Sequence, residues 1–308
     1  MLWFEAIYML VYCIPLYLMC IRMLYILWRR RKHFQSPFYK IVLVSGVFDC
    51  IGITLHHFTN RLANTEFFIE YILPYVFGYH YWLIPVNYMA YHCLHSALLS
   101  SFLMAFNRLT SFLPFYYDKI WQYQKLIMYA CFGVLPFCLV FYMLLNPAGF
   151  THDDTQLWFS YVGFDYEKDM TFGIVDSVVT FYYYLIISVT TFGLNLCNVA
   201  MLIRLRQKEL TKMNRERPLT YSAIVIFVVQ LAVMAAYFMF TINFLNVYVW
   251  LRFVLSPVTE TLYLTPSLIV VVYVPSLRKE VFRRSSEVSS TIAPKTVTLV
   301  TSRSVRAF

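Results

Sequence analysis

Charge is what this sequence has least of. Charged residues fill only 13% of 308 positions, and apolar residues fill 60%; an average soluble domain is about 25% charged. A water-soluble core cannot hide that much hydrocarbon, because surface-to-volume scaling demands a polar shell. A soluble globular domain is therefore excluded and the bilayer is the expected solvent. The chain also lacks a glycine-rich phosphate loop, an H-E-x-x-H pair and a nucleophile elbow, so neither an enzyme nor a cofactor is expected. The longest loop, Asn146–Phe172, has no cysteine; the seven cysteines at 13, 20, 50, 93, 131, 138 and 197 all lie in apolar stretches, which excludes a disulfide framework. No internal repeat and no inter-domain linker is present.

What is present is a series of apolar runs. A span needs about 20 mostly apolar residues. Seven runs qualify: Phe4–Leu27, Ile41–Phe58, Gly78–Phe106, Leu126–Leu145, Gly173–Ile203, Leu219–Ile242 and Phe253–Val274. The second is short and carries Asp49; the third and fifth exceed the bilayer and need tilt or extension. The expected fold class is all-α, a seven-transmembrane helix bundle. The 19% aromatic content suits interfacial belts and an aromatic interior.

Orientation follows from the short connections. Arg29, Arg30, Arg31, Lys32 and Lys40 follow the first run; Arg108, Lys119 and Lys125 the third. Arg204, Arg206, Lys208, Lys212, Arg215 and Arg217 follow the fifth, and Arg278, Lys279, Arg283 and Arg284 the seventh. The alternate connections are acidic, with Glu66, Glu70, Asp153, Asp154, Asp165, Glu167 and Asp169. Basic connections face the cytoplasm, so the N-terminus is expected outside and the C-terminus inside. The net charge of +9 is spent on topology rather than on nucleic acid, which is not an expected partner. The first run has its basic residues after it, unlike a cleaved signal peptide. Residues 1–276 form the membrane domain. Residues 277–308 form a tail that opens with an amphipathic LRKEVFRR segment and continues into a Ser/Thr-rich stretch of disordered composition.

Polar residues inside the runs are the candidates for chemistry. Asp49 is an intramembrane acid, costly unless paired, hydrated or protonated. Tyr81, Tyr88, His92 and His95 recur at helical spacing and share one face of the third run. They either bond neighbouring helices or line a cavity. Tyr183, Tyr237, Glu260 and Tyr263 complete such a cavity, which suits a small, fairly apolar ligand. His56–His57 and His92-x-x-His95 raise metal chemistry, but the seven histidines are scattered, so no metal site is expected.

Local motifs then narrow the class. The segment LLSSFLMAFNRLTSFLPFYYDKIW, Leu98–Trp121, carries Asn107–Arg108, Pro114 and Trp121; SPFYKIVLVSGVFDCIG, Ser36–Gly52, carries Asp49. These resemble the conserved blocks of nematode serpentine chemoreceptors of the class gamma superfamily (Srg, Srv and relatives). The resemblance implies a G-protein-coupled chemosensory receptor in the plasma membrane. It also implies that Asn107–Arg108 acts as a switch and that Arg108, Trp121, Arg204, Arg206 and Lys212 face a heterotrimeric G protein. The chain departs from rhodopsin-like receptors: Asn107 precedes the arginine, the seventh run has Pro266 and Tyr273 without Asn-Pro-x-x-Tyr, and the sixth has no proline. The rival class is a transporter or ligand-gated channel. Pro85, Pro136, Pro257 and Pro266 interrupt spans in no paired pattern, unlike the repeated halves of transporters.

Overall fold

The computed structural model describes residues 9–153, 161–166, 174, 176–206, 210–241 and 248–282. Seven long helices run through these residues. The first, Ile14–Arg29, is entered through a π turn at Met9–Cys13; the second, Pro37–His56, is prolonged by a π turn at His57–Arg61. The third is Ile84–Ser111, the fourth Gln124–Leu145, the fifth Asp176–Arg206, the sixth Leu210–Thr241 and the seventh Tyr248–Tyr273. A short helix, Pro275–Phe282, follows the seventh. The first five are long and apolar enough to cross a membrane. With the sixth and seventh they form the expected all-α bundle.

Proline sets several helix starts. Pro37 follows Ser36 in extended conformation, and Pro15, Pro85 and Pro114 also occupy first-turn positions, where a missing N–H is no loss. The third helix, 28 residues long, reaches about 42 Å against a hydrocarbon core of ~30 Å. It is also the central helix: 72% of its most apolar window is buried, against 22% for the first and the fifth. It packs on the second, fourth, fifth and sixth helices. Leu18, Trp28, Leu126, Ile186 and Val189 point outward and are exposed, an arrangement that suits lipid.

The core is layered along the bundle. One apolar cluster joins Met23, Leu27, Phe38, Leu103, Trp121, Val274 and Leu277. A middle cluster joins Ile53, Cys93, Leu98, Tyr184 and Tyr263, and a third joins Phe68, Leu83, Val140, Tyr142 and Phe150. The third cluster lies under a small sheet of β1 (Gly78–His80), β2 (Ala148–Asp153) and β3 (Tyr161–Tyr166), antiparallel in that order. Gly78 takes a φ of 88°, and a Cβ on Gly149 would lie 1.7 Å from the Gly78 carbonyl oxygen, so β1 and β2 close only as a glycine pair. Phe150 of β2 seats against Phe58 and Phe68, with ring centroids 5.9 and 5.0 Å away. The two ends of the bundle are hereafter the sheet end and the basic end, the latter carrying Arg108.

Three boundaries differ from the expectation. The second span is a 25-residue unit, Pro37–Arg61, rather than the short Ile41–Phe58. Its first turns and its final π turn are polar and invisible to hydropathy. The sixth helix starts at Leu210, nine residues before the apolar run, so the expected basic loop is mostly helix. Lys, Met, Arg and Glu there are good helix formers. Finally, the loop Asn146–Phe172 carries a hairpin. The tail beyond residue 282 and the start before residue 9 lie outside the described residues.

Candidate functional site

The face predicted on the third helix divides between two neighbours. Pro136, at the start of the helical segment Leu135–Val140, has no N–H. The carbonyl four residues earlier, that of Phe132, therefore loses its ladder partner, and the fourth helix widens into a π turn at Ala130–Val134. His92 Nε2 lies 2.8 Å from that carbonyl and Ser96 Oγ 3.5 Å. A carbonyl only accepts, so Nε2 carries the proton, Nδ1 is the acceptor, and the Tyr88 hydroxyl 3.1 Å away donates to it. The Phe48 ring covers this junction, stacked on Phe132 at 5.8 Å. Tyr88 and His92 thus join the third helix to the fourth.

His95 turns the other way. Its Nδ1 lies 2.8 Å from the Tyr91 carbonyl, so Nδ1 donates. Its ring stacks on Tyr183 of the fifth helix, centroids 4.8 Å apart, and the Tyr183 hydroxyl donates to the His95 carbonyl at 3.3 Å. Nε2 of His95 is left as a buried acceptor with no hydrogen-bond partner among the described residues. Nearby on the same helix, Ser101 pairs with Gln230 of the sixth helix, which also donates to Ser188 of the fifth at 3.3 Å. Asn198 of the fifth donates to the Ala105 carbonyl at 3.0 Å.

Glu260, expected in a cavity with these residues, belongs elsewhere. Its carboxylate is fully buried at the sheet end between the first, second and seventh helices. Arg61 reaches it from the π turn of the second helix, Nε to Oε1 at 2.9 Å and Nη2 to Oε2 at 3.4 Å. His57 Nδ1 and His56 Nε2 stand 3.6 and 3.8 Å from Oε1. The Cys13 thiol donates to Oε2 at 3.4 Å. Tyr263, one turn further along the seventh helix, packs over Gly52. A Cβ on Gly52 would lie 2.5 Å from the Tyr263 ring and 3.0 Å from Cys93 Cβ.

Asp49 is buried in the second helix, and neither carboxylate oxygen has a hydrogen-bond partner among the described residues. The adjacent Cys50 meets Cys20 at 3.4 Å, and Cys20 meets Ser267 at 3.1 Å. A carboxyl sealed in this junction is stable only with a proton, water or a cation on it.

At the basic end, Asn107 and Arg108 are both buried. The guanidinium donates to Asn107 Oδ1 and lies 4.7 Å above the Phe38 ring, a cation–π contact with the second helix. Trp121 closes the short helix Pro114–Trp121 rather than opening the fourth. Its Nε1 donates to Thr110 at 2.9 Å and its ring is buried. Arg108 and Trp121 are thus packed inward here, whereas Arg204 is exposed at the end of the fifth helix. The side chains of Tyr237, Arg206 and Lys212 lie outside the described residues. Arg30 also pairs with Glu280 at 2.5 Å, tying the first helix to the short C-terminal helix.

Reading the sequence alone missed Arg61, which falls beyond the expected second span Ile41–Phe58, and Cys13, read only as one of seven cysteines in apolar stretches. It also missed the link from Pro136 to His92, although a mid-span proline always frees a carbonyl and is a usable signal. Among family models, the one described as Srg family chemoreceptor matches residues 6–281. No curated protein matches the chain.

Proposed function

The chain belongs to the Srg family of chemoreceptors, and on that premise we propose that it binds a small molecule from outside the cell and signals through a heterotrimeric G protein. The family match over residues 6–281 carries this reading. The sheet end faces outward and the basic end faces the cytoplasm, in line with the charge of the connections. The ligand site lies between the third and fifth helices, around His95 and Tyr183, with Tyr263 completing it from the seventh. Support comes from the acceptor lone pair on His95 Nε2, buried among aromatic rings. That chemistry fits an apolar molecule with one hydroxyl or amine donor. Tyr88 and His92 act as a structural tie beside it.

Coupling runs through Asn107–Arg108. In the described conformation Arg108 is turned in against Phe38 and Asn107. Release of that contact gives the inner end of the third helix a second arrangement, which a bound partner selects. The test is a second-messenger readout in cells carrying the chain with a tag at each end, challenged with a panel of apolar alcohols, amines and ketones. Expected are an N-terminal tag stained without permeabilisation, a C-terminal tag stained only after it, and a dose-dependent response abolished by Arg108→Ala at unchanged surface level. Both tags on one side would overturn the topology; an unchanged response in Arg108→Ala would overturn the coupling route.

A further inference from the structure

Cys13, His57 and Glu260 come from three different helices, yet their ligand atoms all lie within 4.8 Å of one another. Cys13 and Glu260 are 247 residues apart in sequence. We propose that this junction at the sheet end is a divalent transition-metal site, with Zn2+ as the best-matched ion, held by the Cys13 thiolate, His57 Nδ1 and one oxygen of Glu260. No such site is expected from the scattered histidines alone, because two of the three ligands are not histidine.

The geometry and the donor set point the same way. Zn2+ bonds of about 2.3 Å to sulfur and 2.0–2.2 Å to nitrogen and oxygen place tetrahedral ligand atoms roughly 3.3–3.8 Å apart. The Sγ–Oε2 distance is 3.4 Å and the Nδ1–Oε1 distance 3.6 Å, to the two oxygens of one carboxylate, and the ligand atoms all lie within 4.8 Å, so side-chain rotations that bring Sγ and Nδ1 toward a single oxygen close the site. His57 Nδ1 is buried and has no hydrogen-bond partner among the described residues; at 3.6 Å it is too far from Glu260 for a good hydrogen bond. One thiol, one imidazole and one carboxylate select a borderline-soft ion over Mg2+ or Ca2+. The fourth tetrahedral position stays open to water or to a donor atom of a small molecule.

Arg61 does not occupy the site. A carboxylate offers about four lone-pair directions, and the guanidinium takes one on each oxygen from the π turn. It holds Glu260 in place as an outer partner of the ligand, a role whose loss weakens metal sites. Charge closes as well. Cys13 releases its thiol proton to solvent on binding, so thiolate and carboxylate neutralise the ion, and Arg61 keeps its charge at the partly exposed rim, where its side chain is 15% accessible. A bound ion would pin the outer ends of the first, second and seventh helices together.

The experiment uses the full chain purified in detergent, stripped with EDTA, and does not depend on any agonist or signalling readout. Co2+ is titrated by absorption and Zn2+ by the thermal unfolding midpoint. Expected are a saturable Co2+ spectrum with a thiolate-to-metal charge-transfer band, and a Zn2+-dependent rise of the midpoint. Cys13→Ser should abolish the band, and His57→Ala should keep the band but weaken Zn2+ by about a hundredfold or more. Cys138→Ser, an exposed cysteine on the fourth helix, should change neither. The absence of the wild-type band, its persistence in Cys13→Ser, or unchanged Zn2+ affinity in His57→Ala would each overturn the proposal. If Cys13→Ser does not fold, the wild-type band and His57→Ala decide it.

Discussion

Substituting Ala for His92 removes the donor that satisfies the Phe132 carbonyl, and the cost should depend on what stands at position 136. With Pro136 present, the carbonyl has lost the amide four residues on, and the other side chain that reaches it is Ser96 Oγ at 3.5 Å, a weak hydrogen bond by distance. Leaving a buried acceptor unsatisfied costs about 1–3 kcal/mol in water-soluble proteins. Inside a membrane the measured coupling of such groups averages about 0.6 and reaches about 1.7 kcal/mol. His92→Ala should therefore destabilise by roughly 1–2 kcal/mol, the upper part reflecting the lost Tyr88 contact and ring packing. In a Pro136→Ala background the amide of residue 136 returns to the ladder, and the same His92→Ala change should cost about 1 kcal/mol less. Reversible unfolding of all four variants in one detergent measures the cycle. Equal cost of His92→Ala in both backgrounds would refute the reasoning and leave His92 free for another role.

Gly52→Ala should destabilise by about 1–3 kcal/mol through overpacking, because its Cβ falls 2.5 Å from the Tyr263 ring. A thermal midpoint equal to the parent's would show that Tyr263 moves aside without cost. Glu260→Gln, measured in EDTA to exclude metal, should leave Arg61 without a counter-charge and destabilise by about 1–3 kcal/mol. This figure lies below the 3–5 kcal/mol for breaking a fully buried pair, because Arg61 sits at the partly exposed rim. Pairing Glu260→Gln with Arg61→Met should recover part of that loss, and a purely additive double variant would argue against the pair. In the cell-based second-messenger readout, His95→Phe should keep the ring stack on Tyr183 while abolishing any agonist response that relies on the Nε2 acceptor; an unaltered potency would move the ligand site away from the third helix.

The spans were legible because a bilayer forces long apolar runs into helices with every backbone group bonded internally. The reading failed where a helix continued through polar residues. Arg61 ends the second helix and Lys212 lies near the start of the sixth, yet both were assigned to loops by hydropathy. Partner assignment was the other failure. Glu260 was recognised as an interior acid, but its partner Arg61 is 199 residues away, and no periodicity within one helix encodes which helix lies opposite. Of the residues at helical spacing, His92 and His95 are buried and Tyr88 is half-buried, but Tyr81, before the start of the third helix, is exposed. A face of a central helix spans more than one neighbour, so His92 meets the fourth helix and His95 the fifth.

The buried polar groups divide into those with filled capacity and those with spare capacity. His92 is bonded through both ring nitrogens, and Glu260 accepts from Arg61 and Cys13. Spare capacity is found along the whole bundle, at His57 Nδ1, Asn87 Nδ2 and Asp49 as well as between the third and fifth helices. His95 Nε2, Asn107 Nδ2, Thr191 Oγ1, Asn198 Oδ1 and both polar atoms of the Asn195 side chain have no hydrogen-bond partner among the described residues. Each such group costs free energy where it stands. The fifth helix carries Thr191, Asn195 and Asn198 among these groups, and it is the element whose movement a ligand at His95 and Tyr183 would bias.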